Sequence, residues 1–369
     1  MRKTRFLDAQ LLASKSAWMI QTHSRFYILE EIDRLDVTLV YGETQQFRFR
    51  HRDINILGHV EGLLPVRRSV YRLNSGNSVP FYVKCVPEEI RKLAGRERKG
   101  PSVNRLVKDG DFNLEIPVSV SEIRVGENTV IVEVEDGAGE LCLKEMGFVW
   151  DPTPVPLPLD LEDLSCFSHI QEVGQIVDGA FDLDSEAKVI RARDPVGWDT
   201  LLLLGSPNGS QEATYQVRFS GFDSGIFLGL SDFFAGHEAE EPDAGIQPGW
   251  SSAGLATMRP NGVGQVWLAW GDLTKREAFW VVKTDPGQPI QLQKDTLYSV
   301  RHQVKFEGCV NSSRYRIWPA DDAEPDSWLC EEKDSEIPIE KTKFAQASFG
   351  LFQYLGSPTE WSGIQVRAL

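Results

Sequence analysis

Residues 297–318 alternate so regularly that one local structure suits them. Tyr298, Val300, His302, Val304 and Phe306 are separated one by one by Ser299, Arg301, Gln303 and Lys305. That period of two gives a β-strand one face for a core and one for solvent. The run Glu307-Gly308-Cys309-Val310-Asn311-Ser312-Ser313 has the composition of a loop, and Arg314-Tyr315-Arg316-Ile317-Trp318 then resumes the alternation. The spacing predicts a β-hairpin with Tyr315 and Ile317 on its apolar face and Arg314, Arg316 and Trp318 on its polar face. His302 falls on the apolar side, so it is expected as a core histidine with satisfied ring nitrogens rather than as a catalytic base.

Shorter runs of the same kind fill much of the chain. Residues 36–41, 46–50, 55–60, 79–83, 112–116 and 129–135 read as strands separated by turn formers, the pattern of an all-β sandwich. Gly126 and Asn128 supply a tight turn before the last of these runs, and Asp136-Gly137 supplies the next. Residues 1–24, with Leu7, Leu11 and Leu12 at helical spacing, are expected as a short helix or a frayed end. The prolines of Asp151-Pro152-Thr153-Pro154-Val155-Pro156-Leu157-Pro158 fix φ and remove donors, which predicts an extended, semi-rigid spacer. Long aromatic strands follow from Cys166 onward, with eight of the ten tryptophans and no convincing amphipathic helix. The expected organisation is therefore an N-terminal segment over 1–24, a β-sandwich over 25–150, a proline-rich linker over 151–165 and a jelly roll over 166–369.

Charge narrows the function classes. The formal net charge is −15, against the basic excess of a nucleic-acid binder. Residues 166–369 hold 29 acidic against 17 basic residues, so an arginine-rich strand face there is a local exception. The basic stretch within residues 88–100 reads as a solvated insertion, with contact to an acidic partner as the alternative. No run approaches the ~18 apolar residues of a membrane span. Asp8, Gln10, Ser14 and Lys15 interrupt the apolar core a signal peptide needs, which makes a cytoplasmic location the default expectation. The five cysteines form no CxxC pair and are expected as isolated thiols.

Two resemblances extend this reading. The Gly126-x-Asn128 turn leading into a strand that ends at Asp136-x-x-Gly139 resembles immunoglobulin-like domains of bacterial surface and polysaccharide-associated proteins, without the paired cysteines and core tryptophan of the antibody type. The second part resembles the concanavalin-A-like group that includes laminin-G-like jelly rolls. Asp178-Gly179-Ala180-Phe181, the strand at 214–219, Trp318-Pro319 followed by Glu324-Pro325-x-x-Trp328, and Phe349-Gly350-Leu351-Phe352 carry that resemblance. It implies a fold that serves lectins, hydrolases, lyases and adhesion modules alike.

A function follows only from the residues. A glycosidase needs two carboxylates held about 5–9.5 Å apart, and no strand carries such a pair. A lyase needs a Tyr or His base and a group that neutralises a uronate; Arg301, Gln303, Arg314 and Arg316 would suit the second task. Sugar recognition needs aromatic faces and planar polar side chains, which points to Arg218, Trp250, Trp267, Arg301, Gln303, Arg314 and Arg316 gathered on one sheet. The expectation is a non-catalytic carbohydrate-binding or adhesion-type protein whose partner is a polysaccharide or glycan, anionic ones included, with a polysaccharide lyase or hydrolase or a scaffold for a protein partner as the alternatives. Residues 231–243 read as a solvated acidic loop. Its alternatives are a Ca²⁺ site through Asp232, Glu238, Glu241 and Asp243 and a catalytic role for His237 or Glu238.

Overall fold

A computed structural model describes residues 12–14, 17–22, 25–29, 35–62, 65–84, 105–193, 200–222, 228–238, 249–270, 279–284, 289–308, 310–333, 345–355 and 358–369. The first described strands form an antiparallel meander of β1 (Leu12–Ser14), β2 (Ala17–Thr22) and β3 (Arg25–Leu29). In the described part of 1–24 strands stand where a short helix or a frayed end is expected, Leu7 and Leu11 lying outside the described residues: Trp18 and Ile20 favour strands, and Trp18 pairs with Leu29 across β2 and β3.

A first sandwich follows. Its strands are β4 (Asp36–Leu39), β5 (Thr44–Arg48), β6 (Asp53–Glu61), β7 (Val66–Leu73), β8 (Ser78–Pro80), β9 (Asp111–Pro117), β10 (Gly126–Asp136) and β11 (Leu141–Asp151). They form a three-stranded sheet, β4-β6-β9, over a five-stranded one, β5-β11-β10-β7-β8. Val37, Ile54, Ile56, Leu114 and Ile116 from the first meet Tyr71, Val130, Val132, Phe148 and Trp150 from the second in one core.

The second sandwich contains β12 (Leu159–Leu161), the short helix α1 (Ile170–Val173), β13 (Gln175–Asp178), β14 (Phe181–Asp184), β15 (Val189–Ala192) and β16 (Thr200–Leu203). It continues through β17 (Gln211–Phe219), β18 (Leu228–Glu238), β19 (Gly249–Met258), β20 (Gly264–Trp270) and β21 (Phe279–Thr284). The hairpin β22 (Leu297–Glu307) and β23 (Val310–Pro319), then β24 (Cys330–Lys333), β25 (Ser348–Gln353) and β26 (Thr359–Ala368), complete it. One sheet has the order β14-β15-β26-β17-β22-β23-β24, with β12 also paired to β26; the other has the order β13-β16-β25-β18-β19-β20-β21. Tyr215, Val217, Val300, Tyr315 and Trp361 of the first sheet pack on Leu230, Phe233, Ala256, Phe349 and Leu351 of the second. The architecture is all-β, two sandwiches in series, the second of jelly-roll type.

The opening hairpin forms with a shorter turn than its composition implies. Glu307 pairs with Val310, and Gly308 turns the chain at φ 69°, a left-handed conformation that glycine adopts without a Cβ penalty. Residues 310–313 are therefore strand, which brings Ser313 into the core. His302 is fully buried there. Its Nδ1 lies 2.8 Å from Ser231 Oγ, which also meets Tyr215 OH at 2.8 Å, and its Nε2 lies 2.9 Å from Ser313 Oγ.

The two sandwiches meet through a polar seam. Strand β6 is buried along almost its whole length: Ile54 and Ile56 enter the first core, while Leu57 joins the second. Arg105 bonds Asp178 at 2.9 Å and Glu115 at 2.5 Å, all three nearly inaccessible. Burial opposes the charge on Arg105, but the Asp178 and Glu115 carboxylates outweigh it and raise its pKa above the usual arginine value. Asn113 donates to Val177 O at 2.7 Å, Gln175 to Asp53 O at 2.6 Å, and Arg50 to Leu204 O and Val173 O at 3.0 and 2.9 Å. The proline-rich segment is held against this seam: Arg48 donates to Thr153 O and Pro154 O, and the Val155 amide donates to Ser206 Oγ at 2.7 Å. The seam covers the outer side of the sheet containing β13, β16 and β25. Among the described residues the outer side of the other sheet of the second sandwich stays open.

Candidate functional site

Strand register arranges that open side in rows. Across β26, β17, β22, β23 and β24 the first row is Arg367, Glu212, Gln303, Arg314 and Glu331. Gln365, Thr214, Arg301 and Arg316 form the second, and Ser362, Gln216, Ser299 and Trp318 the third. Arg218 stands beside Glu360 in the fourth. Five of the expected binding residues, Arg218, Arg301, Gln303, Arg314 and Arg316, are thus brought onto one surface.

The arginines are not an uncompensated basic strip. Glu212 accepts from Arg301, from Gln303 and, at 2.6 and 2.9 Å, from Arg367. Glu324 binds Arg301 through two bonds of 2.5 and 3.0 Å and also pairs with Arg316. Arg314 lies 3.5 Å from Glu331, and Arg218 3.6 Å from Glu360. Arg314 and Arg316 also pack over the ring of Trp328, at 4.3 and 4.5 Å from its centroid. Burial raises the pKa of Glu212, but Gln303, Arg367 and Arg301 outweigh it and hold the carboxyl below its ordinary value. Arg301 does the same for Glu324, with Arg316 adding to it. The face is a lattice of paired charges.

The third row lies in an open depression of about 540 Å³. Thr214, Gln216, Ser299, Arg301, Ser362, Gln365 and half-buried Trp318 line it, together with Glu162 and Lys188, which is paired with Asp163. An adjoining depression of about 320 Å³ is bounded by Pro158, Asp160, Glu212, Arg301, Gln365 and Arg367. Together they offer hydroxyl, amide and guanidinium groups around one aromatic ring, which can hydrogen-bond a polyhydroxylated ligand while the ring packs on its C–H surface.

Other expected residues lie elsewhere. Trp267 is on β20 and Trp250 on β19, so both belong to the opposite sheet. The Trp267 indole N–H donates to Thr257 Oγ1 at 3.1 Å. The acidic loop is in part a strand: β18 runs through Glu238, leaving Glu241 and Asp243 outside the described residues. Phe233 and Phe234, buried on opposite sides of the sheet, explain why this segment prefers a strand. Asp232 is fully buried, accepts a bond from Ser252, and has burial push its carboxyl up to about 8. A neutral, enclosed acid of that kind is unsuited to ligating Ca²⁺. The His237 side chain is buried 3.6 Å from Glu115 in the seam between the sandwiches, away from the open face. Among the described residues no group of three His, Cys, Asp or Glu side chains is placed to hold a metal ion, and no helix is long and apolar enough to cross a membrane.

Glu212, Thr214, Ser299 and Gln365 escaped the sequence-based site. Alternation along β17, β22 and β26 puts each on the polar side, but only the pairing of distant strands brings them together.

Neither a family model nor a curated protein matches this chain. Among solved structures, a carbohydrate-binding module from Bacillus subtilis is similar, with a TM-score of 0.33 and 11% identity over 53% of this chain and 96% of that one. The alginate lyase vAL-1 from a Chlorella virus gives 0.39 and 11% over 59% and 100% of the two chains. Lectin II from Ulex europaeus gives 0.35 and 10% over 59% and 100%.

Proposed function

We propose that this protein binds carbohydrate, without transforming it, on the open face formed by β26, β17, β22 and β23. The reading includes an immunoglobulin-like sandwich over residues 25–150 and a laminin-G-like jelly roll over 166–369, joined by the linker at 151–165. The observation that carries the binding function is the depression in which Trp318 stands at the end of a row of hydroxyl and amide side chains. Ion pairs to Glu212 and Glu324 hold Arg301, which borders the depression, and that reduces the entropy lost when a ligand is ordered.

Binding is favoured over hydrolysis by the carboxylates on the face. A glycosidase needs one carboxyl kept protonated as a general acid, whereas Glu212 and Glu324 are both held below their ordinary pKa. The lyase alternative loses its uronate-neutralising arginines to those same carboxylates, and His302, the histidine of the hairpin, is enclosed in the core.

A glycan array probed with the full chain tests the proposal. Retention of at least one polysaccharide is the expected result, with no new reducing ends and no unsaturated uronate absorbance after prolonged incubation. Failure to retain any glycan, or turnover of one, contradicts it.

A further inference from the structure

The pattern of charge on the open face specifies what kind of chain fits it, and this inference rests on the carbohydrate-binding reading above. We infer that the ligand is an uncharged polysaccharide lying across the strands, with Ser362, Gln216, Ser299 and Trp318 beneath it. Those four residues occupy one row by register, and none carries a charge. Neighbouring strands are about 4.8 Å apart, so the row from β26 to β23 spans roughly 14 Å. That length suits several linked sugars better than a single one.

The flanking rows reinforce this choice. An anionic polysaccharide would need cations with unspent hydrogen-bonding capacity. Arg301 is instead shared between Glu212 and Glu324, Arg316 is held by Glu324 and by Pro325 O at 2.6 Å, and Arg367 is held by Glu212. A carboxylate or sulfate placed here would meet Glu212 and Glu324 as well as the arginines, and like charges in proximity repel it. Uncharged hydroxyl groups encounter no such repulsion. They can donate to the acid oxygens and exchange hydrogen bonds with the Ser, Thr and Gln side chains.

The test compares soluble uncharged polysaccharides, a β-glucan and a galactomannan, with a polyuronate and a sulfated polysaccharide, using the full chain. Wild-type protein is expected to bind an uncharged polysaccharide with an affinity that changes less than about twofold between about 0.05 and 0.5 M salt, since screening acts on charged pairs. Glu212→Gln takes the carboxylate from Arg367 and one of the two carboxylates from Arg301, which keeps Glu324. It should create polyuronate binding that weakens by about tenfold over the same salt range. Glu324→Gln, at a more exposed site on the neighbouring segment, provides a second variant with the same expected gain through Arg301 and Arg316. A wild-type preference for the polyuronate or the sulfated chain, lost in high salt, overturns the inference while leaving carbohydrate binding intact. Binding of uncharged chains with no gain of polyuronate binding in either folded variant overturns the charge-matching argument. Absence of binding to every polysaccharide overturns the carbohydrate reading itself.

Discussion

Adjacent residues on β18 hold two ionisable groups in unusual states. Ser231 turns inward to bond His302, and Asp232 turns to the other side of the sheet. Burial raises the Asp232 carboxyl from 3.8 to about 8 and lowers the His302 imidazole from 6.5 to about 3. The folded protein thus keeps a proton on Asp232 that the unfolded chain has lost, so this group's contribution to stability falls as pH rises from about 4 to about 8. His302 acts in the opposite sense: the unfolded chain takes up a proton below 6.5 that the folded core refuses, and stability falls as pH drops toward 3. From pH 6.5 to 8, Asp232 is the one of the two still titrating. Asp232→Asn should therefore flatten the loss of urea stability across that interval, and an unchanged slope would mean that the carboxyl is already ionised in the fold. Residue-scale features of a local kind were legible in the sequence. Gly126 turns at φ 89°, Asn128 bonds the Arg124 amide and carbonyl at 2.9 and 2.8 Å, and Asp136 accepts from the Ala138 and Glu140 amides at 2.8 Å. The state of Asp232 was not, because its neighbours come from other strands.

At the scale of the element, the hairpin of β22 and β23 depends on close approach by the opposite sheet. Gly254 on β19 faces Ser313, and a Cβ there would overlap the Ser313 hydroxyl while reaching His302 Nε2 at 3.5 Å. Gly254→Ala should destabilise the protein by about 1–3 kcal/mol, the usual effect of an overfilled core, measured by urea unfolding; a neutral result would show that the sheets separate readily at this point. The hairpin was legible because alternation is a relation between neighbours in sequence. Its partners were not. Glu212, which organises the charges around Arg301, stands 89 residues away, and no pattern along the chain indicates that β17 will lie beside β22. The same limit explains Trp250 and Trp267. Their composition suits sugar stacking, but strand order assigns β19 and β20 to the opposite sheet.

The whole molecule is governed by the seam that joins the sandwiches. Arg105, Asp178 and Glu115 form a buried ion cluster across it, and removal of one partner leaves the remaining charge uncompensated. Arg105→Met should cost about 3–5 kcal/mol, with unfolding of the two sandwiches separating into two steps in a denaturant titration; a single transition at the wild-type midpoint would show that the cluster contributes nothing to their union. The proline-rich segment marked a junction in the sequence, whereas the extent of the seam depended on contacts between residues more than a hundred positions apart, such as Arg50 with Leu204. Because the seam covers one side of the jelly roll, the proposed binding surface is the opposite side. Calorimetric titration of Trp318→Ala against wild-type protein, with the polysaccharide that the array retains, tests that claim most directly. The account predicts an intact fold and an affinity at least about tenfold weaker, as expected for loss of a central aromatic anchor. Wild-type affinity in a correctly folded Trp318→Ala protein would contradict it and place the binding surface elsewhere.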